Sequence, residues 1–196
     1  MARSNPRKLW AAHLAGNGKS TGNSATTQHP SIRLGEAFSG TVLGVDPSLR
    51  GTGLSLIRVK SGAAPEYLLS QTVKVKPKES MQTCLYEIAT AIHAITDQFK
   101  VDHAAVEQTI YVQNFQTAQI LGTARGAALT ALALRHIQIF EYAPLRIKQA
   151  VSGHGRASKE QVIKSVQQIL RLTVPLPSDE ADATGAALCH AFTHRD

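Results

Sequence analysis

The feature that most restricts the fold is a change of hydrophobic period near residue 80. Before it the chain reads as strands. Residues 41–46 form a short apolar run, and residues 47–53 are rich in turn formers. Residues 54–59 make a second apolar run, so the two predict an antiparallel hairpin, and residues 68–75 alternate as a third strand. After it, Met81, Leu85, Ile88, Ile92, Ile95 and Phe99 recur at spacings of 4, 3, 4, 3 and 4. That is one apolar stripe of a helix over about residues 79–99.

The rest of the chain alternates between the two periods. Residues 101–107 predict a short buried strand, 114–135 an Ala- and Leu-rich helix, and 137–141 a fifth strand stopped before Pro144. Ser158-Lys-Glu-Gln161 has the form of a capping box, opening a helix to about residue 172 with Val162, Val166, Ile169 and Leu170 inward. A last helix is expected from Pro177-Ser178 to about residue 192. The order βββαβαβαα predicts an α/β fold: a five-stranded mixed sheet with helices on both faces.

Residues 1–40 differ from this body. They carry Arg3, Arg7, Lys8, Lys19 and Arg33 against the single acid Glu36, and residues 16–30 hold no aliphatic side chain larger than Ala. Such a segment does not bury enough apolar surface to offset its ordering entropy. The expectation is a flexible basic arm over 1–40 and a folded domain over 41–196. Three roles stay open for the arm: a bland terminus, an accessory phosphate-binding segment or an organelle-targeting peptide.

Composition excludes several classes. Hydrophobic residues make up 43% of the 196-residue chain, enough for a core. No run approaches the roughly 18 apolar residues of a membrane-spanning helix. The nearest, residues 126–134, is closed by Arg125 and Arg135, so a soluble protein without a membrane partner is expected. Cys84 and Cys189 alone support neither a disulfide framework nor a zinc finger. The formal charge of +7 favours an acidic partner, with nucleic acid first.

Four acids stand out from the ordinary solvated ones. Asp46 and Glu107 each end an apolar strand, and Asp179 and Asp182 sit at i and i+3 in the first turn of the last helix. Parallel pairing of the first and fourth strands would set Asp46 beside Glu107 at the carboxyl edge, where ligand crevices form in open α/β sheets. Singly, each acid has an ordinary explanation as a turn starter, a solvated strand end or a helix-dipole partner. Together, four carboxylates in one crevice repel unless protons or cations neutralise them. Mg²⁺ takes oxygen ligands, and two such ions can clamp an in-line displacement at phosphorus. A basic protein with an acidic, metal-holding crevice has the charge pattern of a nuclease.

The motifs then resemble a known family. Val42-Leu-Gly-Val-Asp-Pro-Ser-Leu-Arg-Gly-Thr-Gly53, Val106-Glu-Gln108, Leu121-Gly-Thr-Ala-Arg-Gly-Ala127 and Glu141-Tyr-Ala-Pro-Leu-Arg-Ile-Lys-Gln-Ala-Val151 come first. Gly153-His-Gly155, Lys159-Glu-Gln-Val162, Asp179-Glu-Ala-Asp-Ala183 and Ala187-Leu-Cys-His-Ala191 follow in order. From about residue 42 to 191 the chain resembles the RuvC family of bacterial Holliday junction resolvases. The resemblance implies a ribonuclease H-like fold, with Asp46, Glu107, Asp179 and Asp182 as catalytic, metal-binding carboxylates.

It also implies a Mg²⁺-dependent endodeoxyribonuclease, with two ions per site and Mn²⁺ as a substitute. Such an enzyme works as a homodimer that nicks two symmetric strands of a DNA four-way junction, leaving 5′-phosphate and 3′-hydroxyl ends, in recombination and repair. A branch-migration motor as partner and a place in the bacterial cytoplasm with the nucleoid follow from the same resemblance. Lys148 and Lys159 fall on family lysines placed for DNA phosphates near the cut.

Two departures stand out. The family commonly has an aromatic residue three positions after the strand-end glutamate; this chain has Ile110, then Tyr111. Either Tyr111 stacks on unpaired bases at the junction centre, or Ile110 acts as an apolar wedge, or Tyr111 simply packs its loop. The second departure is the basic arm.

The densest positive stretch of the body is 143–171, with Arg146, Lys148, Arg156, Lys159, Lys164 and Arg171 against Glu160. Gly153 and Gly155 suggest a loop whose backbone approaches phosphate closely, adding Arg156 to the DNA-binding set. Gly122 and Gly126 suit close packing of the Ala-rich helix, against the sheet or against a twin helix. His190 and His194 are spaced i and i+4 as metal ligands are, but dipole placement or simple exposure is the favoured reading. Two rivals are a ribonuclease H-like nuclease trimming ribosomal RNA precursors and a non-catalytic junction-binding protein.

Overall fold

In the computed structural model, which describes residues 36–109 and 113–195, β1 (Gly40–Asp46) is the centre of the sheet. It pairs antiparallel with β2 (Gly51–Val59), and β2 pairs antiparallel with β3 (Glu66–Lys74). On its other side β1 runs parallel to β4 (His103–Glu107), which runs parallel to β5 (Gln138–Tyr142). The strand order is β3-β2-β1-β4-β5. The hairpin and the parallel neighbours are as the sequence predicts. β2 begins earlier than expected, because Gly51, Thr52 and Gly53 belong to the strand rather than to the turn.

The helices are α1 (Met81–Gln98), α2 (Phe115–Leu134), α3 (Pro144–Ser152), α4 (Lys159–Ile169) and α5 (Ser178–Thr193). Alternation along β1 and β4 divides the core. Leu43, Val45, Ala104 and Val106 face α1 and α2, meeting Ile88, Ile92, Ala124, Ala128 and Leu132. Val42 and Ala105 face the other way, onto Ala186, Ala187 and Leu188 of α5, with Ile147 of α3 and Val162 and Val166 of α4 behind. Among the described residues no helix is long and apolar enough to cross a membrane.

Three local signals cap their helices, the last of them the box expected from the sequence. Ser80 caps α1 through Thr83 N–H, Asn114 caps α2 through Thr117 N–H, and Ser158 with Gln161 forms the reciprocal box that opens α4. Others differ. Pro144, read as a stop, is also a start: it opens α3, where its missing N–H is one that the first turn leaves unpaired anyway. Gly153 closes α3 in the left-handed conformation, φ 77°. A Cβ on Gly155 would come within 3.2 Å of the Leu145 side chain. Both glycines therefore have structural reasons apart from phosphate.

Gly122 and Gly126 have nothing within 4 Å of an added Cβ, so of the two packing partners expected for them, the sheet is excluded. The boundary of the folded domain lies before residue 41, since Phe38 is buried in the core and Ala37 bridges to Arg195.

Candidate active site

Asp46 and Glu107 meet because the sheet puts them there. β1 and β4 pair in parallel with Val45 opposite Val106, so each acid is the next residue on an adjacent strand, about 4.8 Å away in the pairing direction. Both continue the series that faces α5: Val42, Gly44, Asp46 on one strand and His103, Ala105, Glu107 on the other.

α5 then has to lie close over this edge, and two glycines let it. A Cβ on Gly44 would stand 1.9 Å from the Ala183 carbonyl oxygen, and one on Gly53 2.0 Å from that of Asp179. No real side chain fits either gap. The helix backbone thus rests on the bare strands, bringing Asp179 and Asp182 to the crevice. The approach is pinned by polar ties. Ser70 and Thr72 of β3 donate to the Glu180 carboxylate. The Thr184 hydroxyl lies 2.7 Å from the Ser55 hydroxyl and 2.6 Å from the Glu180 carbonyl.

Burial and repulsion show in the electrostatics. Asp46 is pushed up to about 6, first by burial and then by the charges of Asp182 and Asp179. Glu107 is pushed up to about 7, by burial and then by Asp46 and Asp182. Lys159 and Lys148 oppose the rise at Glu107, and Lys159 opposes it at Asp46. Lys159, the first residue of α4, donates to Asp182 at 2.9 Å, and that bond raises its own pKa. Asp46, Glu107, Asp182, Lys148 and Lys159 line a crevice of about 370 Å³, whose wall includes Gln108, Pro144 and Ile147.

The four acids expected to converge therefore share one region. Asp179 couples to Asp46 and flanks Gly51, outside the crevice wall. No three of them converge as tightly as a closed ligand set. Among the described residues, the three side chains whose ligand atoms lie within 4.8 Å of one another are histidines, not these acids. Spaced carboxylates fit hard ions of the magnesium class, which take one or two carboxylates each and fill their shells with water and phosphate oxygens.

Of the expected DNA-binding residues, Lys148 and Lys159 reach the crevice, while Arg156 is exposed on the loop between α3 and α4 and is not part of its wall. Ile110 and Tyr111 lie outside the described residues. Glu180, Ser70, Thr72 and Ser55 escaped the sequence reading. Their one signal was the two-residue spacing of Ser70 and Thr72 in β3, which sets both hydroxyls on one face.

The histidines require a correction. His190 is not exposed at a helix end but buried at 0% exposure, bonded to the Tyr142 hydroxyl and to His103.

Comparison with known proteins agrees along most of the folded domain. The family model described as "Crossover junction endodeoxyribonuclease RuvC" matches residues 42–190. The protein of that name from Natranaerobius thermophilus is 37% identical over 155 residues, covering 79% of this chain and 96% of its own length. The one from Methylobacillus flagellatus is 40% identical over 156 residues, covering 76% and 86%. The structure of "T. thermophilus RuvC in complex with Holliday junction substrate" superposes with a TM-score of 0.73 at 34% identity, over 78% of this chain and 93% of that one. The five-stranded sheet and its two helical layers are thus the ribonuclease H-like fold, and the chain belongs to the RuvC family of crossover junction endodeoxyribonucleases.

Proposed function

We propose that this protein cuts DNA at four-way junctions by hydrolysing phosphodiester bonds with divalent ions, Mg²⁺ by preference and Mn²⁺ as a substitute. The observation that carries the reading is the crevice in which Asp46 and Glu107 are held by burial and mutual charge near neutrality. Groups so poised gain most from a cation, because ionisation and ion binding then proceed together.

Asp46, Glu107, Asp179 and Asp182 would hold the ions and are the catalytic residues. Bound there, divalent ions supply positive charge to the attacking water and to the leaving oxygen at phosphorus. The protein's own groups do the rest. Asp46 and Glu107 give up their protons as the site loads. Lys159, which bonds Asp182, turns to the phosphate beside the cut, and Lys148 binds a neighbouring one. Hydrolysis leaves a 5′-phosphate and a 3′-hydroxyl.

The chain acts as a homodimer, with the open Gly122–Gly126 face of α2 packed against its twin. Two crevices related by a two-fold axis then meet two symmetric strands of the junction. A branch-migration motor delivers the junction, in the bacterial cytoplasm near the nucleoid. Tyr111 or Ile110 meets the unpaired bases at its centre, and Arg156 contacts backbone phosphate.

The test is incubation with a synthetic four-way junction, a linear duplex and an RNA hairpin, each with Mg²⁺ or with EDTA. Paired nicks confined to the junction and abolished by EDTA support the reading. Trimming of the hairpin alone points instead to an RNA-processing nuclease, and binding without cutting to a scaffold.

A further inference from the structure

At the opposite end of β4 and α5 a second cluster of ionisable side chains has no part in this chemistry. His103 opens β4, and His190 and His194 lie on the last turn and C-cap of α5. Each offers a ring nitrogen, and the three nitrogens lie within 4.8 Å of one another. His103 Nδ1 and His190 Nε2 are 3.0 Å apart.

We propose that His103, His190 and His194 form a nitrogen-ligand site for a borderline divalent cation of the zinc class, structural in role and separate from the carboxylate crevice. A zinc–nitrogen bond of about 2.0–2.1 Å in tetrahedral geometry sets ligand nitrogens about 3.3 Å apart. The His103–His190 pair is already near that spacing. His103 and His194 are half-buried, which gives the ion a path in and leaves a fourth position for water.

The surroundings meet the other requirements of such a site. His190 Nδ1 lies 2.8 Å from the Tyr142 hydroxyl. A metal-ligating imidazole uses its second nitrogen in this way, to fix the tautomer and the ring plane.

Phe38 and Phe140 wall the cluster, with ring centroids 4.7 and 4.8 Å from that of His103. Phe38 belongs to the segment that bridges through Ala37 to Arg195. An ion here would therefore clasp the start of the folded domain to its last helix. Imidazole nitrogens select zinc-like ions, whereas carboxylate oxygens suit magnesium, so the two sites do not compete for one metal.

The experiment uses the full chain, dialysed against Zn²⁺ in excess Mg²⁺ and analysed for zinc per chain, with Co²⁺ as a visible-absorption probe. The wild type is expected to hold one zinc and to melt several degrees higher with it. An Asp46→Asn, Asp182→Asn double variant should keep that zinc, while His103→Gln and His194→Gln should each lose it together with the histidine-type Co²⁺ bands. A wild type that binds no zinc, a double variant that loses it, or histidine variants that retain it would each overturn the proposal. The double variant decides the matter even if a histidine substitution unfolds the chain.

Discussion

The two ends of α5 make a controlled comparison. One helix and one strand, β4, connect them; His103 and Glu107 lie on the same face of that strand, and Asp179 and His190 are about 16 Å apart along the helix. Both ends bury ionisable groups, and at both burial favours the neutral form. Yet the outcome differs. Imidazoles are donor and acceptor at once, so His190 satisfies Tyr142 and His103 without any charge and reaches 0% exposure. Ionised carboxylates only accept, and they repel one another. Asp46 and Glu107 therefore stay at a half-open crevice with Lys159 and Lys148 as counter-charges. A buried polar cluster closes when its members complement each other and stays open when they need something from outside.

The largest way to break the contrast is to remove charge from the acidic end. Asp46→Asn should lower junction cutting at least about a hundredfold, as loss of a charge-stabilising group at a reacting centre does. Binding, measured by gel shift in Ca²⁺ or EDTA, should be little changed. Unaltered cleavage would take Asp46 out of the chemistry.

Next is the seat of the helix. Gly44→Ala places a methyl group where the Ala183 carbonyl now lies. Urea unfolding should show a loss of at least about 1–3 kcal/mol, and cutting should fall with it because Asp179 and Asp182 ride on the displaced turn.

A pH series sharpens the comparison, since the two ends have opposite signs. Glu107, raised from 4.5 to about 7, holds its proton more tightly when folded, so its contribution to metal-free stability declines as pH rises between those values. His190, lowered from 6.5 to about 3, is protonated more readily when unfolded, so its contribution grows with pH across that window. In EDTA, Glu107→Gln should therefore gain stability more steeply than wild type from about pH 4.5 to 6.5. Parallel urea midpoints for the two proteins would contradict this. Mg²⁺ affinity of the wild type should in turn rise up to about tenfold between about pH 6 and 7, with proton release visible by calorimetry in buffers of different ionisation heat.

The smallest effect is expected at Glu180. Replacing it with Gln weakens two hydroxyl ties to β3 and should cost about 1 kcal/mol. The acid end would loosen slightly and the histidine end would not move.

Much of this was legible in the sequence where a signal is local. Asp46 and Glu107 each terminate an apolar run, Asp179 and Asp182 share one helical face, and Ser158 with Gln161 spells its own cap. What stayed hidden depends on partners far along the chain. His103 and His190 are 87 positions apart and meet only because β4 lies under α5, so the i and i+4 pair alone suggested an exposed helix end. Glu180 looked like one more acid in a first turn, because Ser70 and Thr72 are supplied by a strand more than a hundred residues earlier. α3 was hidden for another reason. It is short, Ala143 gives no side-chain cap, and proline signals a boundary without saying on which side the helix lies.

The alternation along β4 carries one more consequence. His103, Ala105 and Glu107 share a face because they are separated by even steps. Inserting or deleting a single residue in mid-strand would rotate one end relative to the other by half a turn, aiming either the imidazole or the carboxylate into the layer formed by α1 and α2. A change of length here is tolerable only in pairs, so the distance between acid and imidazole is quantised by the pleat.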